Sequence, residues 1–182
     1  MILRAAQPTD AGTVGEILGD FAASTPWMPK LHSGAEDVAH AGYMIDQGWV
    51  TVACDEVGIF GFIARDGAQV HALFTSTRAK GLGVGKVLLD HAKGQSEILR
   101  LYTFAANAGA RRFYRREGFV EVGQGDGSGN EEGLPDVSLL WERKAANAAI
   151  QAKAKAPDRA AQKVTQVPAK KPETQKTPET ST

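Results

Sequence analysis

The stretch that most constrains this chain is Lys80-Gly81-Leu82-Gly83-Val84-Gly85-Lys86, a glycine-rich turn. It lies between an apolar run at 69–75, read as a strand, and a helix whose Val84, Val87, Leu88 and His91 are expected to line one buried face. A helix N-terminus exposes unpaired N–H groups and carries a partial positive charge. Glycines just ahead of it let those groups wrap an anion with no Cβ in the way. The natural ligand of such a unit is phosphate or pyrophosphate. Two phosphate motifs fail here. The P-loop needs a glycine where Lys80 stands and a Ser/Thr where Val87 stands; the dinucleotide fingerprint would need a third glycine at Lys86 or Leu88. An NTPase or a dehydrogenase is therefore not expected.

The other elements follow from periodicity and punctuation. Residues 2–6 read as a strand, and Pro8-Thr9-Asp10 as a helix start. Val14, Ile17, Leu18 and Phe21 share one helix face until Thr25-Pro26 ends it. Ser33 and Glu36 form a capping box opening a second helix, which Gly48 closes. Runs at 49–54, 59–65 and 69–75 form a meander with a hairpin turn at Asp66-Gly67. A strand at 98–104, a helix at 107–117 ended by Gly118, a strand at 119–122, a polar loop at 123–135 holding five glycines, and a last strand at 137–142 complete the order. The fold class is α+β, one mixed sheet with helices on both faces.

Composition sets the limits. No run approaches 18 apolar residues and residues 1–10 contain no signal-like apolar segment, so neither a membrane span nor a secretory leader is expected. Cys54 is the single cysteine, which excludes an internal disulfide and suits a reducing, cytoplasmic setting. The histidines and acids show no metal-ligand spacing. The formal net charge is zero, no footprint of a nucleic-acid binder. That zero is divided: residues 1–144 carry 14 Lys+Arg against 18 Asp+Glu, and residues 145–182 carry 7 against 3. The second segment has four prolines, ten alanines and no aromatic residue, and it reads as a disordered basic tail behind a folded domain of residues 1–144.

Within that domain the glycine turn resembles the coenzyme-A site of the GNAT acetyltransferase superfamily. There a strand ends in a Leu-x-Val-like tripeptide, and five residues later begins [Arg/Gln]-x-x-Gly-x-[Gly/Ala], followed by a leucine-rich helix. Here Leu73-Phe74-Thr75 is followed at that distance by Lys80-Gly81-Leu82-Gly83-Val84-Gly85 and by Lys86-Val87-Leu88-Leu89. Lysine replaces the usual Arg or Gln. A competing register, starting at Arg78, has the usual first residue, but the strand spacing and the run at 86–89 favour Lys80. A second motif lies in order downstream: Asn107, then Phe113-Tyr114 and Gly118-Phe119, similar to the family's Asn and its Phe-Tyr-x-x-x-Gly-Phe helix. The segments Thr25-Pro26-Trp27-Met28-Pro29 and Asn130-Glu131-Glu132 further resemble a bacterial subgroup of that family.

The resemblance implies a fold whose fourth and fifth strands run parallel and splay apart to admit the pantetheine arm. It implies acetyl-CoA as co-substrate, without a metal. Transfer would go to a primary amine of a small molecule or peptide by direct attack in a ternary complex. A non-catalytic acyl-CoA-binding module or an interaction protein is the alternative. Dimers are common in the family. Gly81, Gly83 and Gly85, with Leu82, Val84 and Lys86, would offer amides to the pyrophosphate, and Lys80 would add charge. Leu73 and Thr75 would pair their backbone with pantetheine, with Phe74 between them in the cofactor site, and a backbone N–H of that strand would hold the oxyanion. Asn107 would hydrogen-bond the arm or cap its helix. Tyr114 would protonate the leaving thiolate, with Phe113 in the core. His71, two residues before Leu73 and so expected on the same strand face, is the first candidate base; Glu131, Glu132 and Asp136 are others. Trp27, His32, Asn130, Glu131 and Glu132, on two loops, would receive a cationic amine.

Overall fold

Short local signals set the element ends. The Ser33 hydroxyl accepts from the Glu36 N–H, and the Glu36 carboxylate accepts from the Ser33 N–H at 2.8 Å, so the capping box forms as its spacing predicts. Asn107 Oδ1 accepts from the Ala110 N–H at 3.0 Å. Gly118 ends the following helix with a φ of 87°, a conformation open to glycine. The computed structural model describes residues 1–143. The tail expected from residue 145 lies outside them.

The described residues form seven strands and four α-helices. They are β1 (Ile2–Ala5), α1 (Ala11–Ser24), α2 (Gly34–Asp46), β2 (Val50–Asp55), β3 (Gly58–Asp66), β4 (Gln69–Thr75), α3 (Val84–Gly94), β5 (Ile98–Phe104), α4 (Ala108–Arg116), β6 (Val120–Gly125) and β7 (Asp136–Glu142). The strands make one sheet in the order β1-β2-β3-β4-β5-β7-β6. Every neighbouring pair is antiparallel except β4–β5, which is parallel. This is the mixed α+β architecture the sequence predicts. Two apolar cores cover opposite faces. One joins α1 and α2 to the sheet through Val14, Ile17, Met44, Val52 and Phe62. The other joins α3 and α4 to it through Leu88, Leu89, Leu99, Leu101, Tyr114 and Leu139. At about 25 cal/mol per Å² of apolar area, such side chains supply most of the stabilisation.

Two expectations are corrected. The buried stripe of α3 is Val84, Leu88, Leu89 and Ala92, whereas Val87 is 38% exposed and His91 half-buried. The helix settles on its most apolar face, rotated away from the polar histidine. The last hairpin is also longer than expected, because β6 runs through Gly125 and only residues 126–135 are loop. Gly123 and Gly125 belong to the strand: a Cβ there would stand 2.6 Å from Ser138 Oγ and 2.5 Å from Asp136 Oδ1. The glycines that suggested a loop lie in the strand, where a Cβ would crowd side-chain oxygens of its partner.

β4 carries the irregularity that matters for the site. Ala64 opposes Ala72 and Arg65 opposes Val70, so His71 is an extra residue, a β-bulge. The bulge breaks strand alternation. Val70 and Leu73 join the α3/α4 core, while Ala72 and Phe74 join the α1/α2 core. His71 stacks on Trp49 at the edge of the α1/α2 core, ring centroids 4.8 Å apart. It therefore lies on the face opposite Leu73, not on the same one.

Candidate active site

The site begins where the sheet fails to close. β4 and β5 share a single pair, Gln69 with Arg100, secured by the Arg100 N–H donating to the Ala68 carbonyl at 2.8 Å. Beyond it the strands part. The Ser76 N–H bonds the Phe60 carbonyl, so residues 74 and 72 also turn to β3, and Leu73 and Thr75 turn their N–H and C=O groups into the gap. On β5, the Ala105 N–H bonds the Pro135 carbonyl, so Thr103 and Leu101 face β7, and Tyr102 and Phe104 face the gap. Leu73, Thr75 and Tyr102 thus present unpaired N–H and C=O groups to one cleft, and Phe104 presents its N–H, its carbonyl being taken by the Asn107 N–H at 2.9 Å. An extended, amide-bearing chain is the complement of such an edge.

The cleft leads to the N-terminus of α3. Gly83 is the N-cap residue at a φ of 76°, and Gly81 lies at 82°. Both are open to glycine's left-handed range, and a Cβ at either would meet nothing within 4 Å. The first intrahelical bond is from the Val87 N–H to the Gly83 carbonyl, which leaves the amides of Val84, Gly85 and Lys86 directed out of the helix end. Leu82 is 65% exposed, its N–H bonded to the Ala79 carbonyl. Lys80 is exposed and has no ion pair among the described residues. Arg78, the first residue of the competing register, is engaged elsewhere: it donates to the Ile59 carbonyl at 2.9 Å and lies over the Phe60 ring. Lys86 turns sideways to Asp90 at 2.5 Å and to Glu117 at 3.7 Å. The cation nearest to free at this anion-ready turn is Lys80.

Tyr114 projects from α4 into the α3/α4 core and is 8% exposed. It packs edge-on to Phe113 and Phe119, with centroids at 5.2 and 5.5 Å. Burial pushes its phenol well above the usual tyrosine range, so it stays protonated at neutral pH. Phe113 is the less buried of the two, and its ring edge would stand 3.6 Å from a Cβ placed at Gly85 in the first turn of α3. α4 thus approaches the anion turn through the Phe113 ring. Asn107 uses its carbonyl oxygen as the cap of α4.

On the opposite face the two predicted loops meet. His32 Nε2 lies 3.2 Å from Glu131 Oε2, tying the α1–α2 loop to the β6–β7 loop. Trp27 packs on Phe104 and Phe21, and Phe21 packs on Phe74. Asn130 is committed to its own loop: it donates to the Leu134 carbonyl and to Asp136, and accepts from the Leu134 N–H. Glu132 is half-buried on that loop. His71 is exposed beside Trp49, and desolvation holds its imidazole below the usual histidine range. His40 on α2, which no sequence motif singles out, is depressed by the same cause and lies within electrostatic reach of His32, Glu131 and His71. Phe21 and Phe104 were also missed. Phe104 could have been found, because it falls on the even-numbered side of a strand whose core positions are 99 and 101.

The model of the GNAT acetyltransferase domain matches residues 31–140. The chain belongs to the GNAT acetyltransferases. Among curated proteins it is similar to the peptidyl-lysine N-acetyltransferase YjaB of Salmonella typhimurium, 29% identical over 51% of this chain and 63% of that one. Matches to the curated relatives span from 33% to 63% of their lengths. Among solved structures the GNAT fold is shared with apo-form YjaB from Escherichia coli, TM-score 0.66 and 22% identity, covering 78% of this chain and 98% of that one. It is shared too with yncA of Salmonella typhimurium, a putative acetyltransferase solved with its cofactor acetyl-CoA, TM-score 0.60 and 18% identity, over 78% and 93%. Among the described residues of this GNAT chain, no helix is long and apolar enough to cross a membrane.

Proposed function

We propose that the protein is an acetyl-CoA-dependent N-acetyltransferase acting on a primary amine by direct attack within a ternary complex. The observation that carries this reading is the β4–β5 gap, which opens unpaired backbone groups onto the same cleft as the N-terminus of α3. One end suits an amide-bearing arm and the other a pyrophosphate. Leu73 and Thr75 would pair with pantetheine, and the turn from Lys80 to Lys86 would hold the phosphates. The Leu73 N–H, the deeper of the two, would steady the oxyanion as the amine adds to the thioester carbonyl. Tyr114, held protonated by burial, would give its proton to the thiolate as the C–S bond breaks.

His71 would take the proton that the attacking ammonium must lose. Desolvation holds the imidazole below the usual histidine range, so it stays neutral and able to accept at lower pH than an ordinary histidine. Protonation would remove the base, so the acid limb of kcat/KM lies lower than an unshifted histidine would place it. Trp27, His32, Glu131 and Glu132 would receive the amine, and Asn130 would shape the loop that carries two of them. The YjaB relatives are peptidyl-lysine N-acetyltransferases, which supports an amine acceptor. Calorimetric titration with acetyl-CoA tests the reading, with Gly83→Glu as control. That change puts a carboxylate at the anion turn and an L side chain at a φ of 76°. Saturable binding lost in the variant supports the site. No binding by the unaltered protein at millimolar acetyl-CoA rejects it.

A further inference from the structure

Four aromatic rings span the gap between β4 and β5 on the α1/α2 side. Phe74 of β4 packs on Phe21 of α1 at 5.1 Å, Phe21 on Trp27 at 6.2 Å, and Trp27 on Phe104 of β5 at 5.7 Å. All three contacts are edge-on, at separations where aromatic pairs attract. The two ends stand level. From the shared pair Gln69–Arg100, β4 takes five steps to Phe74, one of them the bulged His71, and β5 takes four to Phe104. The rings therefore cross, on one face, the same gap in which the strands share no hydrogen bond. The clasp of His32 on Glu131 fixes the loop that carries Trp27.

We propose that Trp27 and Phe104 are specificity-determining residues that limit the transferred acyl group to about two carbons. This rests on the reading of the cleft given above. The thioester carbonyl would lie at the Leu73 amide, one residue from Phe74, with the amine arriving from the α1/α2 side. The volume beyond the carbonyl on that side is bounded by the Trp27 and Phe104 rings. An acetyl methyl ends beneath them, and a four-carbon chain runs into them. The rings are anchored at both ends, so they yield only by breaking their own packing. The bonds formed and broken are the same for every acyl group, and only the space differs.

The test needs no acceptor. Dissociation constants for acetyl-CoA and butyryl-CoA are measured by calorimetry on the full chain, unaltered and as Trp27→Ala. The unaltered protein should hold butyryl-CoA at least about tenfold more weakly than acetyl-CoA, the scale of discrimination that a methylene or two gives against an apolar wall. Trp27→Ala should erase that ratio. Equal affinities in the unaltered protein, or a ratio unmoved by the substitution, overturn the proposal. Should Trp27→Ala not fold, Trp27→Phe and Phe104→Leu trim the same wall, and a ratio unmoved in both overturns it equally. Acetyl-CoA that fails to bind at all sinks the cofactor reading itself, whereas acetyl-CoA that binds with a flat ratio sinks only the acyl limit.

Discussion

The two edges of β5 make opposite use of one strand. Toward β7 it is paired along its whole length, from Ile98 with Glu142 to Phe104 with Asp136. Toward β4 it is paired once. Both edges belong to a chain segment of the same composition, so propensity does not explain the difference. Packing and connection do. β7 is drawn flat against β5 by Leu99, Leu101, Val137 and Leu139 in one core. β4 carries a bulge at His71, and a row of aromatic rings lies across the gap between it and β5. A strand edge inside a sheet can thus be left unsatisfied when neighbouring elements pin both sides, and such an edge is a ready binding surface.

The closed edge of β5 is the costlier one to disturb. Leu139→Ala removes a side chain 1% exposed opposite Leu101 and should cost about 2–5 kcal/mol, read as a lowered denaturant midpoint with an unchanged slope. Tyr114→Phe, on the open side, should keep fold and acetyl-CoA affinity while lowering kcat by about 100-fold, the lower range for loss of a general acid. Unchanged kcat would remove the phenol from the proposed chemistry. Hydrogen exchange sharpens the contrast within β5 alone. The Leu101 and Thr103 amides, facing β7, should exchange at least about tenfold more slowly than those of Tyr102 and Phe104.

The smallest effect is electrostatic. Arg111 and Arg115 hold the Glu121 carboxyl below the usual carboxylate range, linking α4 to β6. A lowered folded pKa means stability present above the unfolded value, about 4.3, and lost as pH falls through the folded one. Glu121→Gln should therefore cost about 1 kcal/mol or less at pH 7, with the difference shrinking toward pH 3 in urea melts.

Much of this was legible in the residues. The glycine turn, the capping box and the second motif of α4 are local signals, each read within a few positions, and together they give the element order and the family. What escaped notice was non-local. Gly123 and Gly125 read as loop because the oxygens that would crowd a Cβ belong to Ser138 and Asp136, on the partner strand. The buried face of α3 was rotated because a heptad-like spacing cannot tell Val87 from Leu89 without the sheet beneath. His71 was placed on the wrong face because alternation assumes a regular ladder, and only the partner's register exposes a bulge. The ring path from Phe74 to Phe104 joins four separate segments, so no window of sequence contains it.

The bulge has a consequence for how β4 could be edited. Val70 and Ala72 already sit on opposite faces. If His71 were deleted outright, those two would become neighbours, and the alternation of the whole strand would be regular. Nothing upstream or downstream would have to turn over. Six of the strand's seven residues thus form a complete, self-consistent ladder member, and the seventh is a surplus that the sheet does not require. Deletion and His71→Ala are consequently different operations. The substitution removes an imidazole from a bulged strand, while the deletion removes the bulge itself and leaves a regular β3–β4 ladder.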